Sequence, residues 1–562
     1  MTTEAAESRE ARPVLLEVED LHVDYVVRGQ EVPAVRGVDL TMREGEIVAI
    51  VGESGSGKST FAKAVLHLLA DNGRVHATRM AFAGRDLTSL NRREWRKVRG
   101  AEIALIPQDP TLSLDPLMSV GKQVAETLRI HKLATKDEAQ ARAVKLLAEA
   151  GIPDPEQRAW QLPSEFSGGM RQRALIASAL AGEPRLLVAD EPTSALDVTV
   201  QRQILDHIER LRDELGIAVL LITHDLGVAA DRADRILVMQ HGQVVESGAA
   251  ATVLANPEHD YTRRLVAAAP GLSGTTVTSR TPAPAQDAEV VLRVRDLRKE
   301  FKLRGSGETL VAVDNVAFDI RRGETFGLVG ESGSGKSTTA RVALQLERAT
   351  KGTVEFDGVD ITEYRGESLR QLRRRFQLVH QSPYASLDPR MTVGEIIREP
   401  LRSFKIGSRS EQKARVAELL DSVALPKDYA ERRPDELSGG QRQRVSIARA
   451  LATKPDCVVL DEAVSALDVS VQAQVLELLA QVQRDTGVAY LFISHDLGVV
   501  GEISHRIGVL QRGALVETGT SEAVLKNPEH PYTQALIAAI PGAQLSEARQ
   551  ATSNVDTQEN HS

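Results

Sequence analysis

The nonapeptide GESGSGKST occurs twice in this chain, at residues 52–60 and 330–338. Each occurrence follows an apolar run (EIVAIV or ETFGLV) and precedes a helical pattern (FAKAVLHLL or TARVALQL). Both fit G-x-x-x-x-G-K-[ST], whose glycines let backbone N–H groups approach phosphate oxygens at the start of a helix. The duplicated match therefore predicts two sites that bind the phosphates of a nucleotide.

The side chains of each loop differ in their expected chemistry. We expect Lys58 and Lys336 to reach the β- and γ-phosphates, and Ser59 and Ser337 to coordinate Mg²⁺. The other loop residues expected to bind the nucleotide are Gly52, Ser54, Gly55, Gly57 and Thr60 in the first loop and Gly330, Ser332, Gly333, Gly335 and Thr338 in the second.

Paired acidic residues follow two further apolar runs. LLVAD and VVLD end in Asp190 and Asp461, and Glu191 and Glu462 come next. An aspartate at a strand end beside the phosphate loop can position Mg²⁺, and the adjacent glutamate can polarise an attacking water. A strand end that meets a solvated turn gives the same pattern. Because the apolar run followed by Asp-Glu recurs behind both phosphate loops, we favour the catalytic interpretation.

Two other polar residue types recur in both copies. His224 and His495 lie in LLITHD and LFISHD, where an imidazole could bond the γ-phosphate. The ordinary alternative is a capped polar residue at a strand end. Gln108 and Gln381 lie in IPQDP and VHQSP, and without the other motifs each would be interpreted as a turn glutamine.

The whole chain is a tandem duplication. Lys336 lies 278 residues after Lys58, whereas His495 lies 271 residues after His224. A period this long indicates a duplicated domain rather than a solenoid. The sequence predicts a first domain at 14–270, a linker rich in Ser, Thr, Pro and Ala at 271–289, a second domain at 290–542 and a polar tail at 543–562.

Short apolar runs alternate with helical stretches in each copy, which is typical of buried parallel strands in an α/β fold. The stretch KDEAQARAVKLLAEA at 136–150 predicts an amphipathic helix, and an equivalent is expected at 410–424.

Composition excludes several functional classes. The 562 residues carry 69 Lys+Arg against 78 Asp+Glu, a net charge of −9, and 3% aromatics, which argues against an unassisted nucleic-acid binder. The single cysteine, Cys457, excludes an intrachain disulfide, a Cys₄ zinc site and an iron–sulfur cluster, and we expect a buried small hydrophobe. This composition fits a reducing compartment.

The N-terminus is acidic and lacks an apolar core, so no secretory signal is expected. No stretch reaches about 18 consecutive apolar residues, so no transmembrane helix is expected either. Any role at a membrane is therefore expected to depend on partners.

Together with LSGGQRQR at 437–444 and FSGGMRQR at 166–173, these motifs closely resemble those of the nucleotide-binding subunits of ABC transporters. The resemblance covers nearly all of both repeats. It implies an α/β fold of tandem P-loop ATPase domains, each with a mainly parallel RecA-like sheet core, an antiparallel β subdomain and a helical subdomain. It also implies two ATP molecules held head to tail, each between the phosphate loop of one domain and the signature loop of the other.

The resemblance implies roles for further residues. Gln108 and Gln381 would take part in catalysis and in binding Mg²⁺, beside the catalytic residues Glu191, Glu462, His224 and His495. Tyr25 and Phe301 match the aromatic position that stacks on adenine, with ordinary strand aromatics as the alternative. The signature-loop residues expected at the γ-phosphate are Ser167, Gly168, Gly169 and Met170 in the first copy and Ser438, Gly439, Gly440 and Gln441 in the second.

Three positions depart from the family pattern. Met170 replaces the usual glutamine, Phe166 replaces leucine, and Ala463 stands where the first copy has Pro192. Both catalytic glutamates are present. We therefore hypothesise that both sites hydrolyse ATP, but unequally.

The segments NPEHDYTRRLVAAAPG at 256–271 and NPEHPYTQALIAAIPG at 527–542 resemble the C-terminal extension of the peptide-importer branch. This resemblance implies the ATP-hydrolysing subunit of an importer of di- or oligopeptides, at the cytoplasmic face of the inner membrane. Two permease subunits and an extracytoplasmic binding protein would be its partners. A helical extension without meaning for the substrate is the alternative.

Other functions stay open. The same machinery serves nickel chelates, glutathione or oligosaccharides within this branch, and the extensions disfavour an exporter. A soluble twin ABC ATPase acting on ribosomes or DNA is the main rival. Against it, the linker is short and not strongly charged, and zinc cysteines and long coiled coils are missing. The basic runs at 91–99 and 369–376 are interpreted as solvated helix faces.

Overall fold

The computed structural model describes residues 12–193, 196–269, 280–285, 287–302, 309–380, 386–465 and 467–542. The chain forms two compact units. Among the described residues, unit 1 comprises 12–193, 196, 200–269 and 541–542, and unit 2 comprises 197–199 and those between 280 and 540.

The strands of the first copy form two sheets. They are β1 (Val14–Val27), β2 (Gln30–Arg43), β3 (Ile47–Val51), β4 (Gly73–His76), β5 (Arg79–Phe82), β6 (Arg85–Asp86), β7 (Ile103–Ile106), β8 (Leu186–Asp190), β9 (Ala218–Ile222), β10 (Arg235–Gln240) and β11 (Gln243–Ala249). One sheet is antiparallel, in the order β2-β1-β5-β6 with β4 also paired to β1. The other, in the order β11-β10-β3-β9-β8-β7, is parallel except for the β10–β11 pair.

The helices of the first copy are α1 (Lys58–Val65), α2 (Arg92–Val98), α3 (Pro110–Ser113), α4 (Val120–Ile130), α5 (Lys136–Glu149), α6 (Pro155–Arg158), α7 (Gly168–Leu180), α8 (Val198–Leu215), α9 (Leu226–Arg232), α10 (Ala250–Ala255) and α11 (Asp260–Ala268). A 3₁₀ turn at Pro163–Glu165 precedes α7.

The second copy repeats the two-sheet pattern. Its strands are β12 (Val290–Lys302), β13 (Thr309–Arg321), β14 (Thr325–Val329), β15 (Lys351–Phe356), β16 (Val359–Asp360), β17 (Phe376–Val379), β18 (Cys457–Asp461), β19 (Ala489–Ser494), β20 (Arg506–Gln511) and β21 (Ala514–Thr520). The antiparallel sheet runs β13-β12-β15-β16, and the second sheet runs β17-β18-β19-β14-β20-β21, with only β20–β21 antiparallel.

The helices of the second copy are α12 (Lys336–Ala343), α13 (Gly366–Arg375), α14 (Val393–Ser403), α15 (Arg409–Ser422), α16 (Gly439–Leu451), α17 (Val469–Thr486), α18 (Leu497–Ile503), α19 (Ser521–Lys526) and α20 (Pro531–Ala538). Two 3₁₀ turns, Lys427–Glu431 and Pro434–Glu436, precede α16.

The central strands are apolar because they are covered on both faces. Every residue of β3 and β9 is buried, as expected for parallel strands between layers. One buried cluster joins the antiparallel sheet, the parallel sheet and α1, with Leu16, Val188 and Phe61 among its members. The second copy has an equivalent cluster containing Leu292, Val459 and Ala340. The parallel order places the ends of β3, β9 and β8 at one edge.

The α/β fold expected from the sequence is confirmed. The helix predicted at 136–150 is α5, and the one predicted at 410–424 is α15, which begins earlier because Ser408 and Glu411 form a capping box. Cys457 is buried in β18, as expected. No helix in the described part of the chain is long and apolar enough to cross a membrane.

Part of the Pro-rich stretch between the copies is fixed on unit 2. The Arg280 guanidinium lies 2.5 Å from a carboxylate oxygen of Glu502. The hydroxyl of Thr281 lies 3.0 Å from Oε1 of Gln483 and 3.0 Å from Nε2 of His505. Residues 280–285 therefore pack as part of this unit.

Candidate functional site

The phosphate loop of the first copy joins β3 to α1. Lys58 is buried, and its Nζ donates to the carbonyl oxygens of Gly52 at 2.7 Å and Glu53 at 2.8 Å. Gly52 has a φ of +147°, and a Cβ there would lie 2.2 Å from the carbonyl oxygen of Met239. Only glycine fits such a position, so the motif is fixed by backbone crowding as well as by ligand chemistry.

The second copy reproduces this loop between β14 and α12. Lys336 Nζ donates to Gly330 O at 2.7 Å and to Glu331 O at 2.8 Å. Gly330 has a φ of +150°, and a Cβ there would lie 2.2 Å from the carbonyl oxygen of Leu510. Burial lowers the pKa of Lys336, although the charge of Glu462 opposes this shift.

A serine and an aspartate meet beside each loop. Ser59 Oγ donates to Asp190 Oδ1 at 2.8 Å, and Ser337 Oγ donates to Asp461 Oδ1 at 2.9 Å. Burial raises the pKa of both aspartates, and the serine hydrogen bonds partly offset it. Because the parallel sheet orders β3, β9 and β8 side by side, residues 131 positions apart come into contact in the first copy.

The donor set at this position fits Mg²⁺. Hydroxyl and carboxylate oxygens are hard ligands, and Mg²⁺ usually combines one or two carboxylates with waters and substrate phosphates. Within the described ranges, no group of three or more His, Cys, Asp or Glu side chains is arranged to hold a metal ion. The residues present therefore suit a metal that arrives with a phosphate ligand rather than a closed protein cage.

The glutamate after β8 is the centre of a polar group in the first copy. Gln108 Nε2 donates to Glu191 Oε2 at 2.8 Å, and His224 Nδ1 lies 3.2 Å from Glu191 Oε1. Burial alone would raise the pKa of Glu191, but the contacts with His224, the charge of Lys58 and the Gln108 hydrogen bond lower it overall. The carboxylate is thus kept ionised, as a water-polarising group requires.

The second copy holds the equivalent pair. His495 Nδ1 lies 3.5 Å from Glu462 Oε1. This contact lowers the pKa of Glu462. Burial acts to lower the pKa of His495, but Glu462 raises it overall. Gln381 lies outside the described residues.

Both glutamates adopt an unusual backbone conformation that could not be predicted from the sequence. The φ angles are +48° at Glu191 and +49° at Glu462, in the left-handed region that non-glycine residues rarely adopt. The amide of each donates to the end of the central strand, to Ile222 O and Ile493 O at 2.9 Å. The turn aims each carboxylate at its histidine, at the cost of local strain.

The two signature loops differ in how they begin their helices. Ser167 Oγ accepts from Met170 N at 3.3 Å, and Ser438 Oγ accepts from Gln441 N at 3.3 Å. In the second copy the Gln441 side chain also accepts from Ser438 N at 3.0 Å and completes a capping box. Methionine has no oxygen, so Met170 cannot make this bond.

The two glycines of each signature loop differ in whether neighbouring atoms require glycine at that position. A Cβ on Gly169 would lie 2.8 Å from Val200, and one on Gly440 would lie 2.3 Å from Val471. Gly168 and Gly439 have open space around them, so neighbouring atoms do not require glycine there. Contact of these loops with a γ-phosphate stays a prediction.

The predicted adenine-stacking aromatics lie on the antiparallel sheets. Tyr25 is on β1 and Phe301 is on β12, and both are half-buried. Lys299 Nζ lies 4.8 Å from the centre of the Phe301 ring. Their stacking on adenine also stays a prediction.

Sequence reasoning missed a tyrosine beside each phosphate loop. The Glu53 amide donates to Tyr261 Oη at 3.0 Å, and the Glu331 amide donates to Tyr532 Oη at 3.1 Å. Both tyrosines belong to the NPEH-x-YT segments, whose residues indicated only the branch of the family. Their repetition after each copy was the available signal.

Comparison with known proteins identifies the family of the chain. The family described as "ABC transporter" matches residues 35–194 and 313–465. The family "Oligopeptide/dipeptide transporter, C-terminal region" matches residues 245–289 and 516–561. A solved dimer of MJ0796, a bacterial ABC transporter cassette, is 31% identical, covers 41% of this chain and 98% of that chain, and has a TM-score of 0.38.

Curated relatives match almost the full length. The glutathione import ATP-binding proteins GsiA of Salmonella choleraesuis (strain SC-B67) and of Escherichia coli (strain K12) are each 46% identical to this chain over 565 residues. Each alignment covers 95% of this chain and 91% of the relative. The chain therefore belongs to the ABC transporter family, as an ATP-binding protein with two ABC transporter domains and two oligopeptide/dipeptide transporter C-terminal regions.

Proposed function

We propose that this chain hydrolyses ATP at two sites and thereby drives import through separate permease subunits. The observation that carries the proposal is a cluster of four polar side chains that is repeated in each copy. The serine of the phosphate loop bonds the strand-end aspartate, and the next residue, a glutamate, pairs with a histidine. Such a group can hold a nucleotide phosphate and polarise a water toward it.

The proposed mechanism assigns one task to each side chain. Lys58 and Lys336 turn their ammonium groups from loop carbonyls to the β- and γ-phosphates. Glu191 and Glu462 accept a hydrogen bond from the attacking water. A bound Mg²⁺ would neutralise charge on the phosphates, and Ser59, Gln108 and Asp190 would hold it in the first copy, with Ser337, Gln381 and Asp461 in the second.

The histidines orient the glutamates and form a hydrogen bond with the γ-phosphate for as long as it is present. His224 and His495 contact the same carboxylates that are proposed to polarise water. Each imidazole contacts its carboxylate through Nδ1, and we propose that the other ring nitrogen, Nε2, bonds a phosphate oxygen when ATP is bound. Loss of the γ-phosphate would remove that contact and signal that hydrolysis has occurred.

Peptides are the proposed class of transported substrate, with glutathione, a tripeptide, as the first candidate. Support comes from the two peptide-transporter C-terminal regions and from relatives named as glutathione import proteins. The partners are two permeases and an extracytoplasmic binding protein, and the chain works at the cytoplasmic face of the inner membrane. Nickel chelates and oligosaccharides are the alternative substrates within the same machinery.

Uptake in cells that lack this gene tests the proposal. The full chain should restore uptake of labelled glutathione or of a dipeptide, whereas Glu191→Gln/Glu462→Gln should not. Glu156→Gln, an exposed charge-matched change on α6, serves as the control. Restoration by the double variant would contradict ATP-driven import. Restored uptake of a nickel chelate or an oligosaccharide alone would change only the substrate.

A further inference from the structure

The C-terminal extension of each copy touches the phosphate loop of that copy. In the first copy, Tyr261 at the start of α11 accepts a hydrogen bond from the amide of Glu53 at 3.0 Å. In the second, Tyr532 accepts one from Glu331 at 3.1 Å. The two contacts join the same pair of motifs in each copy, so the duplication repeats one arrangement.

The contact falls on one peptide unit. The carbonyl oxygen of Gly52 accepts from Lys58 Nζ at 2.7 Å, and the N–H of the same peptide donates to Tyr261. Gly330 O and Glu331 N are held in the same way by Lys336 and Tyr532. When the lysine turns toward a phosphate it releases the carbonyl, and the tyrosine bond on the other side of the peptide remains.

The tyrosine is held by the hydrogen bonds of its own turn. Glu246 on β11 accepts from the amides of Glu258 at 2.8 Å and His259 at 3.0 Å. His259 Nδ1 then accepts from Tyr261 N at 3.2 Å and caps α11. The extension thus meets the loop as a pre-formed turn, which reduces the entropy lost on holding it.

The second copy builds the same support. Glu517 on β21 accepts from the amides of Glu529 at 2.9 Å and His530 at 3.1 Å, and His530 Nδ1 accepts from Tyr532 N at 3.2 Å. Burial raises the pKa of Tyr532 to about 12, so its hydroxyl stays protonated and neutral at physiological pH.

We propose that Tyr261 and Tyr532 are positioning residues for nucleotide binding, through which each C-terminal extension holds the phosphate loop of its own copy. This inference rests on the proposed function, because it assumes that the loops bind ATP. It assigns the extension a part in the ATP site.

Tyrosine-to-phenylalanine variants of the full chain test it. We expect Tyr261→Phe/Tyr532→Phe to raise the Kd and KM for ATP about 2- to 10-fold, since a neutral hydrogen bond contributes about 0.5–1.5 kcal/mol and 1.4 kcal/mol is tenfold. The kcat at saturating ATP should stay within about twofold, because positioning of the loop acts on binding. Each single variant should weaken one of the two sites.

Tyr429→Phe is the matched control. Its ring lies under the Arg432 guanidinium, and its hydroxyl has no hydrogen-bond partner among the described residues. Hydrogen exchange gives a second readout, in which the amides of Glu53 and Glu331 should exchange faster in the double variant. An unchanged Kd with unchanged amide exchange, in a chain whose wild type binds ATP, overturns the inference. Failure of the wild type to bind ATP would instead overturn the proposed function.

Discussion

At the scale of single residues, the two copies keep the same proposed catalytic residues but differ at one signature-loop side chain. Glu191 and Glu462 share the left-handed backbone, the ionised state and a histidine partner. Met170 lacks the amide that Gln441 supplies. If the first signature loop contacts a nucleotide, as we propose, that nucleotide has one hydrogen-bond donor fewer.

Single substitutions should expose this difference. We expect Glu191→Gln and Glu462→Gln each to reduce ATP turnover of the full chain, and to reduce it unequally, because the remaining site differs between the two variants. Steady-state ATPase assays measure both losses, with Glu156→Gln as the control. Equal losses would count against functional asymmetry.

Cys457 should be chemically inert in the folded protein. Its side chain is completely buried in β18, and burial raises the pKa of its thiol, so almost no thiolate forms near neutral pH. A thiol reagent such as DTNB should label no cysteine at pH 8 before denaturant is added and one cysteine afterwards. Labelling of the native chain at the rate of a free thiol would show that β18 is accessible.

Short motifs allowed site residues to be predicted from the sequence. Lys58, Ser59 and Asp190 were predicted in this way, and the structure brings Ser59 and Asp190 into contact. Tyr261 was missed because its partner, Glu53, lies 208 residues earlier and no local pattern records that contact. The positive φ of Glu191 was hidden for a similar reason, since tertiary packing and not residue type imposes it.

At the scale of elements, the start of the signature helix is where the copies differ most clearly. The second copy has a full capping box at α16, whereas α7 has only the serine half. A completed capping box satisfies one more amide at the helix N-terminus.

Restoring that bond should stabilise the first copy. We expect Met170→Gln to increase the free energy of unfolding by about 0.5–1 kcal/mol, within the range of N-terminal capping effects. The reciprocal Gln441→Met should decrease it by a similar amount. Urea denaturation followed by circular dichroism measures both, and opposite signs are required. A loss of stability in Met170→Gln would contradict the capping argument.

The stability of the folded chain should depend on pH through the contacts of residues 280–285 with His505. Its Nδ1 accepts from Thr325 N at 2.9 Å, so the ring proton sits on Nε2, which lies 3.1 Å from the carbonyl oxygen of Pro282. Burial lowers the pKa of His505 below its usual value of about 6.5. The stabilising free energy that the neutral ring contributes is therefore fully present above about pH 6.5. It is lost as the pH falls through the folded-state pKa.

Calorimetric unfolding at pH 7.5 and pH 5 measures this effect. We expect the wild type to lose about 1 kcal/mol more stability over this interval than His505→Gln, which cannot be protonated. The buried Glu502 is present in both chains, so its own titration cancels in the comparison. An equal loss in both would mean that the pKa of His505 is the same in the folded and unfolded chains, which would contradict the lowered folded-state pKa.

Element boundaries were predicted less well than element types. The linker prediction at 271–289 followed from composition, yet residues 280–285 hold specific contacts with Glu502, Gln483 and His505. A composition rich in proline and alanine does not predict these contacts, because the partner residues lie about 200 positions away along the chain. Helix starts such as that of α15 depend on caps whose geometry is only partly encoded in residue type.

At the scale of the whole molecule, duplication is the organising feature. Each copy carries its own parallel sheet, phosphate loop, acidic pair, signature helix and C-terminal extension. The repeat was readable from the sequence because both copies keep the same motifs in the same order. Together these parts support our proposal that two ATP sites in a single chain power import.

The most direct test is the ATP turnover of the purified full chain when both proposed water-polarising groups are changed. The account predicts that Glu191→Gln/Glu462→Gln loses at least about 100-fold in turnover, the lower end of general acid–base effects, while ATP binding is retained. Glu156→Gln should match the wild type. Turnover in the double variant equal to that of the wild type would contradict the account.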